Sequence, residues 1–304
     1  MFIMISPALL KKGDKIAIVA SARKISKKEL DASFKIIRSY GLDIVYSENL
    51  FDEDNQFAGS DEVRACELQN MLDDETVKAI FFARGGYGSV RIIDKIDFSS
   101  FVSNPKWLVG YSDITVFHNH IVTNFGIQTL HASMPINFAD NTKFALNSLF
   151  DVLFGKLPNS EFETHMLNRN GLANAEIVGG NLSVLYSLLG SASFPDTDGK
   201  ILFLEDLDEY LYHIDRMMMG LKRAGKLANL AGLLVGGMTE MNDNTVPFGK
   251  TAEEIILDAV FEYDFPVFFN FPAGHNDNNM ALVMGAKVKI ETNEISDKVF
   301  IKTA

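Results

Sequence analysis

The chain of 304 residues carries 28 Lys and Arg against 40 Asp and Glu, a net charge of −12, with 47% hydrophobic and 22% charged residues. That balance belongs to a globular protein and argues against nucleic acid or an anionic membrane as partner. The length points to two domains, and the single cysteine, Cys66, excludes an internal disulfide and fits a reducing compartment.

The first twelve residues are apolar, but no basic region precedes them and Pro7 interrupts them. They read as a first strand or arm rather than a signal peptide. No run approaches the roughly 20 apolar residues of a membrane span, so a cytoplasmic protein is expected. Lys15–Ala20 reads as a buried strand. A helix follows, opened by the capping box Ser26–Glu29 with Ile25 and Leu30 as a hydrophobic staple, and ended by Gly41. Ile44–Tyr46 is the second strand, a helix runs from Ser60 to Leu72, and Lys78–Ala83 and Trp107–Gly110 are the third and fourth strands. Strands alternating with helices imply βαβ units and a parallel sheet, with ligands gathered at its carboxyl edge.

At that edge, Trp107-Leu108-Val109-Gly110-Tyr111-Ser112-Asp113 runs from a strand through a turn into a helix start. A serine lifted onto such a turn suits a nucleophile, although Ile114 stands where the hydrolase elbow would have its second glycine. An ordinary Ser N-cap is the competing reading. The loop Arg84-Gly85-Gly86-Tyr87-Gly88 shares the edge. It lacks both G-x-G-x-x-G and G-K-[ST], and it is either a tight turn or a source of oxyanion-binding N–H groups.

A helix near Phe144–Leu153 precedes a polar stretch, which places a linker over 156–174 between domains at 1–155 and 175–304. The second half restarts with Ile177–Gly180. It continues with helices over Leu182–Leu189, Tyr210–Arg223 and Ala252–Phe261 and strands over Ile201–Leu204, Gly232–Gly236, Phe265–Phe271, Ala286–Glu291 and Lys298–Lys302.

A serine nucleophile needs a base and the base an acid. His118 turns away from Ser112 on the helix, and His120 lies roughly 12 Å along its axis. His131 falls near a strand end, His165 in the linker, and His213 inside a helix as a satisfied structural residue. His275, leading a polar loop after an apolar run, is placed to face a cleft. Glu205 closes a strand, whereas Asp206, Asp208 and Glu209 fit the acidic first turn of a helix. Metal chemistry has no support: His118-x-His120 points to different faces, Asp52–Phe57 lacks the glycine of a calcium loop, and no cysteine cluster exists. Neither metal nor cofactor is expected.

Gly13–Ile16, Ala58–Ala65, Ala83–Gly88, Gly110–Asp113, Gly179–Ser183, Leu204–Asp206 with Ile214–Met217, and Gly274-His275, in that order, resemble the LD-carboxypeptidases. That serine peptidase family includes murein tetrapeptide carboxypeptidase. The resemblance implies a flavodoxin- or Rossmann-like parallel-sheet domain bearing the nucleophile, then a mixed β/α domain of swivelling type. It places the nucleophile on Ser112, the acid on Glu205 and the base on His275, with oxyanion-binding N–H groups at Asp113 and Gly86. It further implies a homodimer in cytoplasmic peptidoglycan recycling, acting on a small muropeptide.

Holding a terminal carboxylate favours an Arg, here Arg84 and then Arg216, with Tyr87 as a further substrate contact. Ser21 stands where the family often shows Pro, and Leu282-Val283-Met284-Gly285 replaces a Leu-Pro-x-Gly type run, which is expected to reshape the pocket beside His275. Two alternatives are a microcin-immunity-type peptidase, whose corresponding loop reads Gly-Gly-Tyr-Asn where this chain has Gly88, and a non-catalytic muropeptide-binding protein.

Overall fold

A computed structural model describes residues 4–156, 159–293 and 296–303. Of the expected N-terminal strand or arm, residues 1–3 lie outside the described residues. The rest is an arm: Ile5 makes one bridge to Ile127, and Trp107 Nε1 donates to the Ala8 carbonyl at 3.1 Å.

The strands of the first half are β1 (Lys15–Val19), β2 (Asp43–Val45), β3 (Val77–Phe82), β4 (Trp107–Gly110) and β5 (Thr129–His131). Those that follow are β6 (Asn159–Glu163), β7 (Leu172–Asn181), β8 (Ile201–Leu207), β9 (Gly232–Thr239) and β10 (Val267–Phe268). The chain closes with β11 (Leu282–Met284), β12 (Lys287–Asn293) and β13 (Lys298–Thr303). The first sheet is ordered β11-β5-β4-β3-β1-β2, so its parallel strands run in the flavodoxin-like order 2-1-3-4-5. The second is ordered β10-β9-β8-β7-β12-β13-β6, with β7 to β10 parallel and the remainder antiparallel.

Period-two alternation explains the first sheet. Ala79 and Phe81 of β3 enter one apolar cluster, while Ile80 and Phe82 enter the other, so both faces are covered. The helix Lys27–Ser39 starts on the capping box of Ser26 and Glu29 and buries Leu30, Phe34 and Ile37 on one stripe.

Three features lie beyond the sequence reading. The segment 156–174 is more than a linker: β6 pairs with β13 at the edge of the second sheet, and β7 already begins at Leu172. The expected strand Phe265–Phe271 shortens to β10, because Asn270 takes a left-handed φ of 65° and turns the chain away. Finally, Leu282–Met284 becomes β11, antiparallel to β5 with Leu282 opposite His131 and Met284 opposite Thr129. The later half of the chain therefore supplies an edge strand to the first sheet.

A second tie is polar. The helix Thr115–Phe125 lies against the end of β7. Asn119 Nδ2 donates to the Gly179 carbonyl at 2.9 Å, and the Gly179 N–H donates to Asn119 Oδ1 at 3.1 Å. The Asn181 N–H donates to Thr115 Oγ1 at 2.9 Å. Around these bonds one apolar cluster runs through both sheets and includes Phe82, Phe117, Phe203 and Phe271. Asn119→Ala strips both partners from the buried Gly179 backbone and is expected to cost about 2–4 kcal/mol in urea unfolding. A loss under about 0.5 kcal/mol, the range of a neutral surface change, overturns this role.

Candidate active site

Ser112 sits at the carboxyl edge of β4 in a left-handed conformation, φ 63°, ahead of a tight turn over Ser112–Ile114 and the helix from Thr115. A non-glycine residue there costs roughly 1–2 kcal/mol and persists only where packing enforces it. The enforcement is visible on two sides. A Cβ on Gly110 would fall 2.8 Å from Ile114 Cγ1, so Gly110 and Ile114 fit only as a pair. A Cβ on Gly85 would fall 3.0 Å from Ser112 Cβ and 3.1 Å from its Oγ. Ser112 does not cap the helix, so the N-cap reading falls.

Its hydroxyl instead meets His275. His275 Nε2 lies 3.1 Å from Ser112 Oγ, and His275 Nδ1 lies 2.7 Å from Glu205 Oε2. The structure thus brings together Ser112, after β4 of the first sheet, Glu205, in β8 of the second, and His275, on the loop between β10 of the second and β11 of the first. The loop bearing His275 closes on itself: Gly274 N–H donates to Asn279 Oδ1 at 2.9 Å, and Met280 N–H donates to the Pro272 carbonyl at 2.7 Å.

Glu205 lies inside β8 at an irregularity in the β8–β9 pairing, where Leu204 faces Val235 but Asp206 faces Met238. Gly236 and Gly237 together stand opposite Glu205, one residue more than regular pairing has. A Cβ on Gly236 would fall 2.5 Å from the Ala273 carbonyl, and one on Gly274 would fall 2.6 Å from Glu205 Oε2. Glycine at both positions lets the His275 loop settle directly on the carboxylate.

The Arg84–Gly88 loop is a backbone feature facing Ser112. Gly86 and Gly88 take φ of 115° and 152°. The N–H groups of Gly86 and Asp113 have no acceptor among the described residues. Behind the loop, the Asp113 carboxylate accepts from the Ser89 N–H at 2.8 Å, and Arg64, buried, donates to the Gly88 carbonyl at 3.1 Å and pairs with Asp61. Ser21 joins this support: it is buried, and its hydroxyl meets that of Ser89 at 2.8 Å.

Burial alone would lower the His275 pKa, but the charge of Glu205 and its hydrogen bond, with Asp206 and Glu240 beyond, hold it above the ordinary value. Asp206 corrects the sequence reading. It does not start a helix: it lies in β8 and faces away from His275, binding Asn181 Nδ2 at 2.8 Å and the Ser183 N–H at 2.9 Å. Burial, with the neighbouring Glu205 charge, pushes its carboxyl up to about 7. Asp208 and Glu209 also precede the helix, which begins at Leu211.

The other histidines are engaged elsewhere. His118 lies 2.8 Å from both Thr129 Oγ1 and the Gly110 carbonyl, and burial lowers its pKa to about 4. His120 meets Ser193, and His131 is buried with its pKa well below the ordinary value. His165 lies against the Phe269 ring. His213 is half-exposed and bonded to Glu209 at 2.8 Å, rather than packed inside its helix.

Sequence reasoning missed Tyr111, whose ring lies 4.8 Å from that of His275 and whose hydroxyl meets Asn137 Oδ1 at 3.2 Å. Its place directly before Ser112 was the available signal. Of the residues expected to hold substrate, Tyr87 is exposed beside Phe57 and Arg216 stacks on Tyr212 at 5.2 Å. Arg84 donates to the Lys24 carbonyl at 3.2 Å and faces Glu29 at 3.8 Å. Among the described residues there is no group of His, Cys, Asp and Glu able to hold a metal ion, and no helix long and apolar enough to cross a membrane.

Comparison with known proteins gives the family. Residues 16–132 match the model of the LD-carboxypeptidase N-terminal domain, and residues 174–290 match that of the LD-carboxypeptidase C-terminal domain. A probable murein peptide carboxypeptidase of Bacillus subtilis is 36% identical over 299 residues, 95% of this chain and 92% of the relative. The murein tetrapeptide carboxypeptidase of Pseudomonas aeruginosa is 24% identical over 92% of this chain and 94% of its own. Among solved structures, the muramoyltetrapeptide carboxypeptidase of Oxalobacter formigenes superposes with a TM-score of 0.86 at 23% identity, covering 95% of this chain and 98% of that one. MccF in complex with glutamyl sulfamoyl guanosine gives a TM-score of 0.87 at 19% identity, with 98% of each chain covered. The chain belongs to the LD-carboxypeptidase family.

An NMR titration of His275 should give a pKa above the ordinary imidazole value of 6.5, and Glu205→Gln should bring it down. A value unmoved by the substitution overturns the pairing. The sign for stability follows. The raised folded-state pKa adds stability at pH values below the unfolded imidazole's pKa, and this is lost as pH rises through the folded value.

Proposed function

We propose that this member of the LD-carboxypeptidase family is a serine LD-carboxypeptidase that releases terminal D-alanine from the murein tetrapeptide L-Ala-γ-D-Glu-meso-diaminopimelate-D-Ala. The observation that carries the reading is the relay Ser112–His275–Glu205, with 3.1 Å and 2.7 Å steps and two free backbone N–H groups beside the serine. The 36% identical relative, a probable murein peptide carboxypeptidase, supports a murein peptide as substrate class.

In this reaction Ser112 Oγ attacks the carbonyl that joins the L-centre of diaminopimelate to D-alanine, and His275 Nε2 takes the hydroxyl proton. The carbonyl oxygen becomes an oxyanion against the N–H groups of Gly86 and Asp113, each such donor being worth roughly 3–4 kcal/mol in the transition state. The tetrahedral intermediate collapses, the C–N bond breaks, and His275 returns the proton to the departing amine of D-alanine. Water, deprotonated by the same imidazole, then cleaves the acyl-serine ester and regenerates Ser112. Glu205 holds the imidazole with Nε2 towards the serine and stabilises its cationic form. The same reading puts the reaction in cytoplasmic peptidoglycan recycling by a homodimer.

The microcin-immunity reading has the fold in its favour. Gly88 favours the murein peptide, since the other branch carries Asn there. In this chain a Cβ at that position would fall 2.9 Å from the Ala22 backbone.

D-Alanine release from the tetrapeptide is expected from the wild type and not from Ser112→Ala, with both proteins folded by circular dichroism. Glu205→Gln should lower kcat by roughly 10³–10⁴, and EDTA should leave the rate unchanged. No release by the folded wild type overturns the reading in favour of another amide substrate or a binding role. Metal-dependent recovery after chelation overturns the metal-free mechanism.

A further inference from the structure

Releasing a terminal residue requires a group that reads a free carboxylate, and, resting on the reaction proposed above, we infer that Arg23 is the residue that binds the substrate's terminal carboxylate. The scissile carbonyl must lie against Ser112 and the N–H of Gly86. The terminal carboxylate of a one-residue leaving group sits only about 3.5 Å further along the chain. Its partner therefore has to lie at the Arg84–Gly88 loop.

Arg23 is on the loop after β1, the neighbour of β3 in the sheet, so its loop and the Arg84–Gly88 loop emerge side by side at the carboxyl edge. Its stem crosses Gly86: a Cβ there would fall 2.4 Å from Arg23 Cγ and 2.2 Å from Cδ. Gly86 follows Gly85, which is itself packed on Ser112. A side chain at Gly86 would displace the arginine, which gives that glycine a second purpose beyond its φ.

The guanidinium of Arg23 is exposed and makes no ion pair or hydrogen bond among the described residues. The other cations nearby are committed. Lys24 pairs with Glu53 at 2.7 Å, and Arg64 and Arg91 share Asp61. Arg84 is tied to the Lys24 carbonyl and faces Glu29. Arg216 lies on its tyrosine in the second half of the chain. Carboxylates gather on the opposite side, where Glu240 acts on His275 and Asp277 on Tyr111. A substrate with an anionic end and an amine therefore meets a cation on the first-sheet side and anions on the second.

The test is calorimetry on Ser112→Ala, which binds without turnover, using the tetrapeptide and its C-terminal carboxamide. Ser112→Ala should bind the free acid roughly ten- to a hundredfold more tightly than the amide, as a charge-assisted pair gives. Adding Arg23→Gln should abolish the preference and leave amide binding unchanged. A preference that survives Arg23→Gln overturns the assignment, and so does binding of neither peptide by folded protein. An Arg23-dependent preference in a protein whose wild type releases no D-alanine would overturn the proposed reaction and leave the carboxylate site standing.

Discussion

The site depends on the docking of the two sheets, in which the end of β7 presses against the helix that follows Ser112. Ser112 follows a strand of the first sheet, Glu205 lies in the second, and His275 is on the loop that joins β10 of the second to β11 of the first, so no local motif sets the distance between them. Catalytic groups need placement to about half an ångström. The contact that supplies it is nearly free of side-chain bulk on one side, since a Cβ on Gly180 would fall 2.5 Å from Thr115 Oγ1. Thr115 and Asn119 then bond to the backbone of Asn181 and Gly179. Backbone-to-side-chain bonds of this kind have fixed length and direction, whereas an apolar interface alone can slide.

The same strand ends carry the electrostatics. Glu205 and Asp206 are adjacent in β8, and alternation sends them to opposite faces. Glu205 meets the imidazole; Asp206 meets Asn181 and the Ser183 N–H, and so reaches back to the β7 turn that grips Thr115. Burial, with the Glu205 charge beside it, pushes the Asp206 carboxyl up to about 7. Glu205 has His275 as a counterpart, and its charge is what raises the imidazole against the cost of burial. A carboxylate that holds the β7 turn and one that holds the imidazole thus divide along a single strand.

Much of this was legible in the sequence where the signal is local. A strand running into Gly110-Tyr111-Ser112, a polar loop led by His275, and apolar runs alternating with capped helices all depend on neighbours within a few residues. What stayed hidden depends on distant partners. Nothing in Leu282–Met284 announces that it pairs with β5, and the departure from the family's Leu-Pro-x-Gly run is now seen as an edge strand. Asp206 looked like the start of a helix because Asp208 and Glu209 follow it, and only the β8–β9 irregularity shows that the strand extends through it. Arg84, expected to hold a carboxylate, is instead tied to the Lys24 carbonyl and faces Glu29, and neither partner is near it in the sequence.

The two halves of the chemistry are therefore assembled by different forces. The Arg84–Gly88 loop is supported within the first half of the chain. Buried Arg64 lies beneath it, with its terminal nitrogens bonded to the Ser21 and Gly88 carbonyls and paired with Asp61 and its guanidinium 4.9 Å over Phe57, which offsets part of its desolvation, while its buried Nε has no partner among the described residues. Ser21 fits this polar support better than a proline would, because its hydroxyl reaches Ser89, whose N–H in turn holds Asp113. The strained turn at Ser112 is likewise fixed by Gly110, Ile114 and Gly85 of the same domain. Loosening the contact at β7 would leave the Ser112 turn and its N–H groups intact, while the His275 loop would stay held from both sides, by the Ala273 carbonyl on the Gly237 N–H of β9 and by Thr142 and Ser148 of the first half.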